Sequence, residues 1–182
     1  MQPLKYLNQW LIEHANNQHY LFTPSDLRAL FAELTDGAFK ALLTRAISAK
    51  LFIRLCRGLY LYQKAMPADG LLLFHAAARL RVDAFNYISL ETVLSDAGVI
   101  SQIPINWLSI MSSGRRNVIS CGDFGTIEFI HTNQKPTRLA NQFIYDHACG
   151  MWRATVALAL RDMKATHRDC DLIDWDAVNE LI

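Results

Sequence analysis

The chain has 182 residues, 52% of them hydrophobic and 19% charged, a balance that sustains a packed core and excludes a disordered chain. The length suits two modest domains, and no apolar run reaches the roughly 18 residues of a membrane-spanning helix. The formal net charge of +1 conceals a division: residues 1–66 carry eight Lys/Arg against four Asp/Glu (+4), whereas residues 67–182 carry ten against thirteen (−3).

From Leu4 to Ala15, apolar residues recur at Leu4, Leu7, Leu11 and Ala15, the period of an amphipathic helix. Tyr20-Leu21-Phe22 reads as a short extended segment. Thr23 then caps a second helix, which opens on Pro24, carries Asp26 in its first turn and runs to about Leu34. Asp36 is the expected cap of a third helix, where Phe39, Leu42, Leu43, Ala46 and Ile47 repeat at helical spacing. The other face of that helix carries Lys40, Thr44 and Ser48 with Ala41 and Arg45 alongside, polar, basic and free of carboxylates. Leu51–Leu55 and Leu59–Tyr62 form a hairpin about Cys56-Arg57-Gly58. Three helices followed by a basic two-stranded ribbon are the parts of a winged helix-turn-helix, expected over residues 1–66.

Met66-Pro67-Ala68-Asp69-Gly70 reads as a linker to a second domain over 70–182. There the pattern predicts a helix over Leu71–Leu80 and another capped by Ser89 through Ala97, ending near Gly98. Strands are predicted over Trp107–Met111, Val118–Cys121 and Thr126–Thr132 as an antiparallel meander, then helices over Leu139–His147, Met151–Ala165 and Trp175–Ile182. The expected class is therefore α+β: a winged helix-turn-helix followed by a mixed α/β domain with an antiparallel sheet and C-terminal helices. The final 14 residues hold five carboxylates and no basic residue, which disfavours contact with DNA there.

The chemistry-bearing candidates lie mainly in the first part. Lys40 and Arg45 suit phosphates or guanine edges, and Thr44 and Ser48 suit hydrogen bonds to phosphates or bases, with Ala41 between them. Arg54 on the hairpin strand and Arg57 at its tip extend the basic surface, and Arg28 and Lys5 are further candidates for flanking phosphates. Arg115 and Arg116, in a Ser/Gly turn, are candidates for an anion or a partner. Glu91 reads as a carboxylate favoured by its helix start. Cys56, Cys121, Cys149 and Cys170 lack a CxxC pair, and His75, His131, His147 and His167 lack ligand spacing, so no metal site is expected. No phosphate loop or nucleophile motif is present in the sequence, so neither a cofactor nor an enzyme is expected. The N-terminus lacks the sections of a signal peptide, which leads to an expectation of a cytoplasmic protein with no membrane partner.

Ser25-Asp26-Leu27, the third-helix run, Lys50 to Tyr60 with its Arg57-Gly58-Leu59-Tyr60 turn, and Tyr87 to Leu94 followed by the strands around Gly114-Arg115-Arg116 together resemble the AbiEi antitoxin family of type IV toxin-antitoxin systems. The likeness covers most of the chain and departs from the family over Arg153–Asp162. It implies a winged helix-turn-helix that represses its own operon at double-stranded operator repeats, with two copies on the DNA. It further implies a second domain that counteracts a nucleotidyltransferase-like toxin, with or without direct contact. The alternatives are a winged-helix regulator with a ligand-sensing second domain and a nucleic-acid enzyme whose scattered residues converge on folding.

Overall fold

The computed structural model describes residues 2–101 and 105–182. It is α+β and divides into two compact units, Met1–Leu72 and Leu73–Ile182.

In the first unit, helix α1 (Pro3–His14) buries Leu7 and Leu11, one turn apart. Strand β1 (Leu21–Phe22) leads into α2 (Pro24–Arg28), which a reciprocal cap starts: the Asp26 amide donates to Thr23 Oγ1 at 3.2 Å, and the Thr23 amide donates to Asp26 Oδ2 at 2.7 Å. The expected extension to Leu34 stops early, since the chain tightens into a 3₁₀ turn over Ala29–Phe31. Helix α3 (Asp36–Ser48) is capped by Thr35, whose hydroxyl accepts from the Ala38 amide, so Asp36 is its first residue and not its cap. Strands β2 (Ile53–Cys56) and β3 (Leu59–Leu61) turn through Arg57-Gly58, where Gly58 at φ +83° takes a conformation that a β-carbon penalises. The sheet order is β1-β3-β2, all antiparallel. Leu7, Leu11, Phe22, Phe31, Leu42 and Phe52 form its core.

The second unit contains most of α4 (Leu72–Leu80), then β4 (Asn86–Ile88) and α5 (Leu90–Asp96). Next come β5 (Trp107–Ser112), β6 (Asn117–Ser120) and β7 (Thr126–His131). The last elements are β8 (Phe143–Asp146), β9 (Met151–Ala154), α6 (Val156–Ala165) and α7 (Trp175–Leu181). One sheet runs β6-β7-β5-β4-β9-β8.

This sheet is mixed, which corrects the antiparallel meander. Strand β5 pairs parallel with β7, β4 pairs parallel with β9, and the other neighbours are antiparallel. The reason lies in burial. Leu108–Met111 and Ile127–Ile130 are buried on consecutive residues, as central strands covered on both sides are, whereas β6 exposes Asn117, Val118 and Ser120. The more polar strand takes the edge, and β7 pairs directly with β5.

The helix expected over Leu139–His147 is also corrected. After 3₁₀ turns at Pro136–Arg138 and Ala140–Gln142, Phe143-Ile144-Tyr145 forms a strand, as a run of aromatic and β-branched side chains favours. Asp146 closes the following turn, accepting from the Cys149 amide on its side chain (3.0 Å) and from the Gly150 amide on its carbonyl (2.9 Å). The helix expected from Met151 begins only at Val156, because Met151–Ala154 adds to the sheet and Thr155 caps α6 through the Leu158 amide. Among the described residues, no helix is long and apolar enough to cross a membrane.

Candidate nucleic-acid interface

Helix α3 buries Phe39, Leu42, Leu43 and Ala46, which leaves Lys40, Ala41, Thr44, Arg45 and Ser48 exposed. At about 100° per residue, the exposed set forms one continuous arc about 140° wide, with Lys40 at one edge and Arg45 at the other. Lys40 lies on the side that meets the hairpin. There it lines a groove of about 930 Å³ together with Ser25 and Arg28 of α2, Arg54 of β2 and Arg57 and Gly58 of the turn. Its walls are apolar, built from Ala29, Ala32, Phe39, Leu43 and Tyr60. Ala41, Thr44, Arg45 and Ser48 are not among the residues that line it.

The chemistry of the groove is cationic. Lys40, Arg54 and Arg57 are exposed and make no ion pair among the described residues. The one carboxylate on the lining, Asp36, is engaged by Arg28 at 3.3 Å. Arg28 is structural: its guanidinium also donates to the carbonyls of Phe31 and Leu34 and lies over the Phe39 ring at 5.2 Å. It therefore staples the turn between α2 and α3, while its side chain, 34% exposed, also lines the groove. On the outer face, the Thr44 hydroxyl donates to the Lys40 carbonyl and the Ser48 hydroxyl to the Thr44 carbonyl, both at 3.1 Å. Each hydroxyl keeps two acceptor lone pairs beside that bond, and because both are exposed either can rotate to donate to a ligand instead. Arg45 Nε donates to the Ala41 carbonyl at 3.4 Å, and its other guanidinium nitrogens make no hydrogen bond or ion pair among the described residues.

Several polar residues of the second unit pair with its buried carboxylates. Glu128 is 5% exposed and accepts from Arg168 at 2.5 Å, Arg116 at 2.9 Å and Trp107 Nε1 at 3.3 Å. Burial pushes its carboxyl up, but the Arg168 and Arg116 guanidinium groups outweigh burial and hold it below the usual carboxylate range. Arg168 also donates to Glu91 Oε1 at 3.2 Å. Arg116 pairs with Glu128 through one guanidinium nitrogen while its side chain stays 71% exposed, and Arg115 is exposed and without an ion pair among the described residues. Ser89 stands at the start of α5, yet its hydroxyl does not cap the helix; it donates to buried Asp162 at 2.7 Å. Burial pushes the Asp162 carboxyl up, only partly offset by that bond. The Tyr87 hydroxyl lies close to Asp162 and Thr132 but meets full hydrogen-bond geometry with neither.

Burial and the neighbouring Asp146 push the Cys149 thiol up to about 12, which keeps it protonated at neutral pH and unfit as a nucleophile. Among the described residues, no group of three His, Cys, Asp or Glu side chains is placed to hold a metal ion. Sequence reasoning did not anticipate that Ser25, Tyr60 and the apolar wall of α2 share a surface with Lys40, because nothing in their spacing links three separate segments. No protein-family model matches the chain, and no curated protein matches it.

Proposed function

We propose that the first unit is a winged helix-turn-helix that binds duplex DNA. On this reading the protein acts in the cytoplasm as an antitoxin that represses its own operon and opposes a nucleotidyltransferase-like toxin. The DNA-binding part rests on one observation: Lys40 of α3 shares a groove with Arg54 and Arg57 of the hairpin, and the one carboxylate there is already paired. The element order supports it, since α3 is followed directly by a hairpin that closes a three-stranded antiparallel sheet. Duplex DNA is a dense line of phosphates, and a concave cationic surface without free carboxylates is complementary to it. The antitoxin part rests on the resemblance of Lys50–Tyr60 and Tyr87–Leu94 to AbiEi proteins.

The test is fluorescence anisotropy with the duplex that precedes the protein's own gene, at several salt concentrations. Replacing Lys40, Arg54 and Arg57 together by alanine is expected to weaken binding at least tenfold. The slope of log affinity against log salt falls by about 0.9 for each phosphate contact removed. Because all three side chains are exposed, the melting temperature stays unchanged. Binding that is unaltered in the triple variant would refute the assignment of the groove. The antitoxin part fails if coexpression with the product of the adjacent gene leaves growth arrest unrelieved.

A further inference from the structure

A second cationic site lies at the other end of α3. Lys5 of α1, Lys50 just beyond α3 and Lys64 just beyond β3 line a cleft of about 340 Å³ with Gln2 and Asn8, and no carboxylate borders it. These residues are far apart in sequence, and the tertiary fold brings them together. All three ammonium groups are exposed, and none makes an ion pair or hydrogen bond among the described residues. Gathering three like charges is unfavourable unless an anion compensates them.

Lys50 adds an independent sign. It sits at φ +56° where the chain leaves α3, with the Leu51 amide donating to the Ala46 carbonyl at 2.9 Å. At such a helix end glycine is the residue of lowest conformational energy, and a side chain in the left-handed region is strained. A lysine at this position costs stability and supplies a charge.

We infer that this cleft is a phosphate-binding site. Three ammonium donors and two neutral amides, with no carboxylate, suit an oxyanion carrying several acceptor oxygens. Its place on α3 indicates the source. From Lys40 to Ser48, where α3 ends two residues before Lys50, the helix advances about 12 Å along its axis, matching the major-groove width of about 12 Å. A helix lying across that groove meets one phosphate backbone at each end. The hairpin-side groove takes one strand, and the Lys5–Lys50–Lys64 cleft takes the backbone of the other. This choice of source rests on the DNA-binding reading above; the phosphate chemistry does not.

The experiment uses the full chain and compares wild type, a Lys5→Gln/Lys50→Gln/Lys64→Gln variant and Lys50→Gly. One arm measures anisotropy with a labelled duplex of arbitrary sequence across a salt series; the other titrates inorganic phosphate while following the backbone amides of Lys5, Lys50 and Leu51 by NMR. The expected result is duplex binding whose salt slope falls by about 0.9 for each lysine lost. Lys50→Gly is expected to melt at a higher temperature than wild type yet bind more weakly, a combination that a purely structural lysine does not produce. If the duplex arm is silent or unmoved by the substitutions, but phosphate shifts those amides in wild type and not in the triple variant, the cleft stands as a site for a free phosphate. A wild type that binds no duplex removes the DNA-binding reading by itself. If the triple variant binds duplex with an unchanged slope and phosphate moves none of the amides, the proposal is overturned.

Discussion

Arg168 bridges two carboxylates at once, Glu128 at 2.5 Å and Glu91 at 3.2 Å, and Glu128 lies almost wholly out of water. Removing one member of a buried ion pair leaves the other charge desolvated. Arg168→Ala is therefore expected to lower stability by about 3 kcal/mol, read by urea denaturation. Arg116 also reaches Glu128, but its side chain is 71% exposed, so Arg116→Ala is expected to cost less than about 1 kcal/mol in the same assay. The two buried acids respond to pH in opposite senses. Glu128 is held below its ordinary range, so its contribution is present above that range and is lost as pH falls through the depressed value. Asp162 is held above its ordinary range, so the folded state grips the proton more tightly than the unfolded chain. Its effect on stability turns unfavourable as pH rises from the ordinary aspartate value through the raised one. Urea melts across a pH series are expected to show that second slope in wild type and to lose it in Asp162→Asn.

At the scale of elements, local chemistry sets where several segments begin. Thr155 converts a strand into a helix within one residue, its side chain accepting from the Leu158 amide at 3.3 Å. Thr155→Ala is expected to destabilise by about 1 kcal/mol, with helical signal lost at low denaturant by circular dichroism. Gly125 shows the opposite constraint. A β-carbon there would meet the Asn106 carbonyl oxygen at 2.4 Å, and its φ of +122° is strained for any other residue. Since the obstacle is backbone and cannot rotate away, Gly125→Ala is expected to cost about 2 kcal/mol or more by thermal denaturation. Capping signals such as Thr23 with Asp26 could be read from adjacent residues because their partners are three positions away. Strands β8 and β9 could not, because Phe143–Asp146 and Met151–Ala154 become strands by pairing with each other, and β9 also with β4.

At the scale of the molecule, charge and structure divide at similar places. The basic residues of the N-terminal part belong to the unit that ends at Leu72, while most of the carboxylates belong to the unit that follows. Limited proteolysis is expected to cut first within Met66–Gly70, where proline and glycine interrupt regular structure, and to leave protected fragments on either side by mass spectrometry.

The sequence by itself determined the α+β class, the order of elements through β3, the exposed polar face of α3 and the position of the hairpin turn. All of these depend on neighbours within a few residues, through helical period, capping and turn chemistry. Only the tertiary structure decided that the larger sheet is mixed, that Arg28 staples the turn between α2 and α3 and Arg116 pairs with Glu128, and that Lys40 joins Arg54 and Arg57 in a groove whose lining leaves out Arg45. Those outcomes follow from contacts between distant segments, where strand burial and side-chain pairing override what local spacing can express.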